Sequence, residues 1–306
     1  MFRSSIRPFS SSSSSSKGPL FWLGVVGLPV AVGAVYYKLN TPKTPVPALV
    51  GEWRDFKLKE IIDINHNTKS FRFALPDGTT HLGLPTASCL MTKFQNGVKD
   101  DGKPVNVIRP YTPIEDPAVK DTGYFDLVVK KYPDGKMSKH IHEMKVGDTL
   151  EMKGPMVKYE YVPNKDKHIG MIAGGSGLTP MIQVIQRVIS DPSDHTKLTL
   201  VFANETEEDI LLKKYLDNVA ETFPDKLKVH YVVTKPGKGW TQSSGFVNEN
   251  IIKNFMPGPG SGKVFVCGPP GMMSAISGPK TKDFKQGEVG GLLKKLGYTE
   301  NDIFKF

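Results

Sequence analysis

Gly174-Gly175-Ser176-Gly177-Leu178-Thr179-Pro180 follows an apolar run, Ile169 to Ala173, and precedes a helical pattern. The spacing predicts a strand, a glycine turn and a helix N-terminus in immediate succession. Such a turn offers backbone N–H donors and the positive end of a helix to a pyrophosphate, and Gly174, Gly175 and Gly177 leave room for close approach. Cys267-Gly268-Pro269-Pro270-Gly271-Met272 follows a second short apolar run, Val264 to Val266. That places a thiol and a turn at the carboxyl end of another predicted strand, the edge where open α/β sheets hold ligands. Upstream, Arg109-Pro110-Tyr111-Thr112-Pro113 supplies a fixed cation for phosphate, a ring that can lie against a flat cofactor, and a hydroxyl. Gly135-Lys136-Met137-Ser138, with Lys130 just before it, adds small and polar groups at a turn. Together these segments point to redox chemistry on nucleotide cofactors. The glycine spacing is GxGxxP rather than GxGxxG, and such a turn taken alone can be purely structural.

The elements that must position these residues fall into two rhythms. From Trp53 to about Tyr161 the chain reads as short strands, at Phe56–Ile64, Ser70–Leu75, Cys89–Thr92, Val105–Ile108, Tyr124–Val129 and Thr149–Met152. Turn signals such as Pro76-Asp77-Gly78 and Pro133-Asp134-Gly135 separate them, which predicts a small antiparallel barrel that is all-β. Beyond it, apolar runs at Ile169–Ala173, Leu198–Phe202, Val229–Val233 and Val264–Cys267 alternate with helical stretches, the pattern of a parallel sheet covered by helices. The first of those helices starts near Thr179, with Pro180 in its first turn and Met181, Val184, Ile185, Val188 and Ile189 as its buried stripe. Asp209 to Phe223 reads as another helix, Gly287 to Leu296 as a last one, and Phe304-Lys305-Phe306 as a tail.

At 306 residues and 39% apolar content the chain is long enough for two cored domains. Five of its nine net positive charges fall in residues 1–51, which contain no Asp or Glu, leaving the rest with 35 basic against 31 acidic residues, about +4. That balance is too mild to argue for nucleic acid. The acid-free start and the run Ser10 to Ser16 read as a mitochondrial targeting segment over residues 1–19. Leu20 to Tyr37 is uncharged and as a helix would span about 27 Å, enough to cross a bilayer as an anchor over residues 20–37. Prolines 42, 45 and 47 make residues 38–50 an extended linker. The barrel is expected over 51–162 and the α/β part over 163–306. Cys89 and Cys267 are the only cysteines, without CxxC, and the seven His lack ligand spacing, so neither a disulfide framework nor a metal site is expected.

The strings Arg109-Pro110-Tyr111-Thr112, Gly135-Lys136-Met137-Ser138, Gly174 to Pro180 and Cys267-Gly268-Pro269-Pro270 together resemble the signature of the NADH-cytochrome b5 reductases, over roughly residues 50–306 and in that family's order. Phe202 to Leu212 and Gly245-Phe246-Val247-Asn248 also resemble its connecting segments, and with the leader the chain looks like the mitochondrial form of fungi. The resemblance implies an FAD-binding barrel joined to an NADH-binding domain, with the flavin at the cleft between them. It implies that Arg109, Pro110, Tyr111, Thr112 and Val128 hold FAD, with Gly135, Lys136, Met137 and Ser138 at its pyrophosphate. Thr179 would approach the flavin from the second domain, and Gly174, Gly175, Ser176, Gly177, Pro180, Cys267, Gly268, Pro269 and Met272 would shape the NADH pocket. Lys130 would touch the nicotinamide nucleotide, and Thr112, Lys130, Thr179 and Cys267 would line the path of the hydride. Cys267 is then a positioning thiol, not a nucleophile, since no His lies in its motif.

Two departures stand out. Ala87-Ser88-Cys89 replaces the Gly-Gln-His common in vertebrate members, so a flavin contact by that His does not carry over. Thr234 occupies the place of an acidic residue thought to repel a 2'-phosphate, with Lys235 and Lys238 close by, which leaves NADH against NADPH open. The implied reaction passes hydride from NADH to FAD and then single electrons to a cytochrome b5-type haem protein, with Lys93, Lys136 or Lys139 steering an acidic acceptor. A quinone, a ferredoxin or a small oxidant as acceptor is the alternative, and a tethered binding protein without activity a third reading. The implied location is the mitochondrial outer membrane, or the intermembrane space after cleavage.

Overall fold

The computed structural model describes residues 45–114 and 123–306. The targeting segment, the anchor and most of the linker read from the sequence lie outside the described residues. Among the described residues no helix is long and apolar enough to cross a membrane.

The first lobe is a six-stranded antiparallel sheet of β1 (Arg54–Asn65), β2 (Thr68–Ala74), β3 (Ser88–Val98), β4 (Pro104–Tyr111), β5 (Tyr124–Lys130) and β6 (Thr149–Val157), in the order β4-β3-β6-β1-β2-β5. β1 lies inside the sheet and divides its length between two neighbours. Its first half pairs with β6, its second half with β2, and the register slips between Leu58 and Glu60 where the strand changes partner. A bulge at that point bends the strand and carries the sheet around a corner. Alternation puts Phe56, Leu58, Phe71, Phe73 and Phe125 inside, with Phe56 and Phe125 edge to face at 5.4 Å.

The barrel is not all-β as the sequence suggested. Between β5 and β6 lies helix α1 (Lys136–Glu143), which seats Met137 and Ile141 in the barrel core. Those two apolar residues are four apart, one helical turn, and burying them outweighs the short length of the element.

The second lobe is a sheet of β7 (His168–Gly174), β8 (Lys197–Asn204), β9 (Leu227–Val233), β10 (Ser243–Ser244), β11 (Lys263–Cys267) and β12 (Ile303–Lys305), parallel throughout, in the order β10-β9-β8-β7-β11-β12. Its helices are α2 (Leu178–Ser190), α3 (Lys213–Thr222), α4 (Glu249–Phe255), α5 (Pro270–Ile276) and α6 (Gly291–Lys295). α2 buries Met181, Val184, Ile185 and Val188 as its periodicity predicts. The predicted Asp209–Phe223 helix begins only at Lys213, and Gly287–Leu296 shrinks to α6. α4 and α5 are not marked individually by the sequence pattern, and the expected tail is instead strand β12 beside β11.

The chain leaves β7 toward β8 on one side and returns to it as β11 on the other. The strand order therefore reverses beside β7, which opens a crevice at its carboxyl end. Gly174 ends β7 and Cys267 ends β11, so both sequence motifs meet at this switch point.

Candidate functional site

The barrel contributes the end of β4 and the start of α1. Arg109-Pro110-Tyr111 is the last stretch of β4 rather than a free turn, and the Thr92 hydroxyl donates to the Arg109 carbonyl at 3.0 Å across the β3–β4 ladder. The Arg109 guanidinium donates to the carbonyl of Ile108 at 2.7 Å, and among the described residues it has no carboxylate partner. Tyr111 is half-buried, and burial with a contribution from nearby Tyr132 pushes its phenol above the ordinary range, so it stays a neutral ring.

α1 starts at Gly135 without a side-chain cap and without an acidic residue in its first turn, leaving its N-terminal N–H groups open to an anion. The Ser138 hydroxyl donates to the Gly135 carbonyl at 3.0 Å and accepts from the Tyr132 N–H at 3.2 Å. A side chain at position 135 would place its Cβ 2.3 Å from that hydroxyl. Ser138 thus clamps the turn, and Met137 is packed in the core, so Met137 faces any phosphate with its backbone alone.

The second lobe contributes the Gly174–Gly177 turn, of which 175–177 form one 3-10 turn leading into α2. Its glycines do different jobs. A Cβ on Gly174 would meet the Met272 sulfur at 2.5 Å, and one on Gly177 would lie 2.3 Å from the Cys267 carbonyl oxygen. Those two are glycine because α5 and the end of β11 pass over them. Gly175 has φ +53 and faces only the Tyr132 hydroxyl, at 3.6 Å, so it is the glycine that leaves its surroundings open. The Thr179 hydroxyl donates to the Ser176 carbonyl at 3.2 Å and closes the turn from inside.

Side-chain contacts from Tyr132, Gln183 and Lys130 join the lobes around this cleft. The Tyr132 hydroxyl meets the Ser176 hydroxyl at 2.9 Å. Gln183 of α2 accepts from the Ser88 N–H at 3.1 Å and donates to the Pro113 carbonyl at 3.2 Å. The Lys130 ammonium at the end of β5 donates to Asp209 at 2.8 Å. Asp209 is only 5% exposed, and burial alone would raise its carboxyl. Hydrogen bonds from Lys130, Asn67 and Thr206 outweigh that and hold it at about 2. Val128, two residues before Lys130, packs into the core of the second lobe.

Cys267 closes the far side. Its thiol is pushed up to about 12 by burial, with Lys280 pulling weakly the other way, so it carries its proton. Gly268 is half-buried against the Met272 sulfur, while Pro269 is exposed at the start of α5. Pro180 is buried in the first turn of α2. Of the lysines expected to steer an acceptor, Lys93 is committed elsewhere: it pairs with Glu151 at 2.8 Å and lies over the Trp53 ring at 4.6 Å. Lys136 and Lys139 are both exposed.

Two groups at this edge lie in segments that the resemblance covers but to which it assigns no role. Glu205 follows β8, accepts from the Thr234 hydroxyl through its carbonyl at 3.3 Å, and pairs with Lys235 at 3.3 Å through its carboxylate. Phe246 is 81% exposed just past β10, where the Gly245 N–H donates to Val233. A bare aromatic ring at the carboxyl edge of a parallel sheet is the signal that could have found it.

The chain matches two family models: an oxidoreductase FAD-binding domain over residues 55–161 and an oxidoreductase NAD-binding domain over 171–278. It is 46% identical over 319 aligned positions to NADH-cytochrome b5 reductase 2 of Coccidioides immitis, covering 98% of this chain and 95% of that one. It is 50% identical to an NADH-cytochrome b5 reductase-like protein of Arabidopsis thaliana, covering 83% and 77%. Among solved structures, the cytochrome b5 reductase domain of Ulva prolifera nitrate reductase superposes with a TM-score of 0.71 at 34% identity, over 85% of this chain and all of that one.

Proposed function

The chain belongs to the NADH-cytochrome b5 reductase family, and from there we propose that it takes hydride from NADH onto FAD and delivers single electrons to a cytochrome b5-type haem protein. The carrying observation is the barrel seam: an Arg109 with no carboxylate partner among the described residues, a neutral Tyr111 and the uncapped start of α1, which packs against both β4 and β5. These groups fit a flavin dinucleotide, which needs a cation and N–H donors for phosphates and a ring face for its flat end. FAD, when bound, supplies the conversion of a two-electron donor into single-electron transfers.

The protein's part is to bind and to orient. Arg109 and the backbone N–H groups at the start of α1 would take the pyrophosphate, Tyr111 would pack against the flat ring, and Thr112 would add its hydroxyl. Gly175, Thr179 and Cys267 shape the opposite wall at the switch point, where a nicotinamide nucleotide would enter. Cys267, protonated at working pH, supplies volume rather than charge, and hydride transfer asks no side chain here for a proton. Phe246 offers a face to a base, and Glu205, whose carbonyl meets the Thr234 hydroxyl, brings a carboxylate to this edge that would disfavour a 2'-phosphate and so favour NADH over NADPH.

An anaerobic NADH titration of the purified chain, following visible flavin absorption, tests the reductive half. Bleaching at one NADH per flavin supports it, and a protein that stays colourless with FAD added overturns it. Relative rates with purified cytochrome b5 and with a quinone decide the acceptor.

Domain limits of 51–162 and 163–306 are part of this proposal, and the two matched segments fall inside them. The leader reading is carried forward too, as mitochondrial targeting by residues 1–19 and outer-membrane anchoring by 20–37. Its support is the acid-free, Ser-rich start followed by an uncharged run. Alkaline extraction of isolated mitochondria, leaving the protein in the membrane pellet, would support the anchor, and its release would refute it.

A further inference from the structure

We infer that Asp209 is a positioning residue for nucleotide binding: from the α/β lobe its carboxylate fixes the Lys130 ammonium of the barrel at the cleft, where that ammonium meets the phosphates of an incoming dinucleotide. This deepens the NADH reading and rests on it.

Asp209 divides its two oxygens between the lobes. Oδ2 accepts from the N–H and the hydroxyl of Thr206, at 3.3 and 3.0 Å, within its own loop. Oδ1 accepts from the barrel, from Lys130 at 2.8 Å and from Asn67 at 3.2 Å, with His66 at 3.8 Å. The neighbouring carbonyl of Glu208 accepts from Asn65 at 2.8 Å, so the whole β1–β2 turn docks on this loop. The loop therefore fixes its carboxylate by local bonds and presents the other oxygen to the barrel in one orientation.

Lys130 stands where this matters. Two residues further on, Tyr132 reaches Ser176 in the Gly174–Gly177 turn at 2.9 Å. One short stretch of barrel chain thus touches the second lobe both at Asp209 and at the turn that would receive a dinucleotide. An ammonium has three N–H donors. One is spent on Asp209, and the Lys130 side chain keeps 17% exposure, so the group can hold Asp209 and still donate to a phosphate. Without Asp209 the four-carbon stem is released, its charge leaves the cleft wall, and binding suffers while the hydride geometry does not.

The test is a double-mutant cycle on the FAD-loaded full chain, read as NADH KM and kcat together with flavin content and Tm. Asp209→Asn is expected to raise KM for NADH about 5- to 10-fold with a smaller change in kcat, the pattern of lost binding rather than lost chemistry. Lys130→Met should raise KM comparably, and the double variant no further than Lys130→Met alone, because the second change acts only through the first. Thr206→Val keeps both charges but loosens the carboxylate, and should move KM the same way by a smaller factor. Multiplying KM effects in the double variant, or an unchanged KM in Thr206→Val and Asp209→Asn alike, overturns the assignment. A wild-type flavin that NADH fails to bleach sinks the NADH reading and this inference together, whereas bleaching in wild type with independent effects in the variants sinks only this one.

Discussion

Two helices begin at the cleft, and both begin at glycine without a side-chain cap, yet they are built for different work. At the start of α1 the crowding is local: a Cβ on Gly135 would strike the Ser138 hydroxyl of its own first turn. At the start of α2 the crowding is remote: a Cβ on Gly177 would strike the backbone of Cys267 and the Gly268 nitrogen at the end of β11. The first is an open cradle on a helix that packs against β4, the strand that carries Arg109. The second is the point where a strand of the sheet rests on a helix, and only Gly175 next to it remains open. A glycine-rich turn thus signals close approach, and the approaching body can be a ligand or the protein itself.

Alanine substitutions break this comparison if it is wrong. Gly177→Ala drives a methyl into backbone that cannot swing away and should cost about 3 kcal/mol, near the upper end for overpacking. Gly175→Ala has room for a methyl but a φ of +53, and should cost about 1 kcal/mol. Gly135→Ala meets a side-chain hydroxyl that can rotate, so its stability loss should also be about 1 kcal/mol while its FAD affinity falls. Denaturant unfolding with and without FAD reads both quantities. Equal losses at 135 and 177 would erase the distinction.

The same contrast explains what the sequence made legible. Strands β7 and β11 stand out as apolar runs, and the switch point between them follows from alternating strands and helices. α1 did not stand out, because eight residues after a Pro-Asp-Gly turn give little more than Met137 and Ile141 to mark a buried face. Lys93 reads as a free surface cation, and its partner Glu151 becomes visible only through the register of β3 on β6. Asp209 reads as the start of a helix, but Thr206 draws it into the preceding loop and Lys130 reaches it from the other lobe. Lys305 gives no sign that its ammonium is buried against the carbonyls of Pro279 and Glu288 at 3.2 and 2.8 Å. Pattern along the chain reports faces and turns. Contacts between lobes carry no pattern of their own.

Acid separates the two helix starts further, because only the sheet lobe is tied to the barrel by an ionised, buried carboxylate. The Asp209 carboxyl lies at about 2 when folded, below its ordinary value of 3.8. A depressed folded pKa means the folded state binds this proton less readily than the unfolded chain does. The stabilisation is therefore complete above about pH 4 and is lost as pH falls toward 2, an effect of about 2 kcal/mol by linkage. Asp209→Asn should flatten the acid limb of unfolding in that window. An unchanged limb would show that the lobes do not depend on this charge.

Cys267 sharpens the closed character of the α2 start. With its thiol pushed up to about 12 by burial, little thiolate is present at pH 8, and iodoacetamide should modify it more slowly than free cysteine. Cys267→Ser should retain most of the flavin reduction rate across pH 6 to 9, since no ionisation of this group falls in that range. Rapid alkylation in the folded protein would mean that the end of β11 is not packed as described.

The smallest effect belongs to the open edge beyond both helices. Glu205 is exposed and, among the described residues, pairs with exposed Lys235, so its charge is screened and its loss should leave stability within about 0.5 kcal/mol. Its position beside Thr234 gives it a different consequence. A carboxylate there would oppose a 2'-phosphate, and Glu205→Gln would remove the opposition together with the ion pair to Lys235. The ratio of kcat/KM for NADPH to that for NADH should rise several-fold, mostly through a lower KM for NADPH, and the rise should shrink as salt is added. If the ratio does not move, the 2'-position is read by Thr234 and its backbone alone, and the edge discriminates by shape rather than by charge.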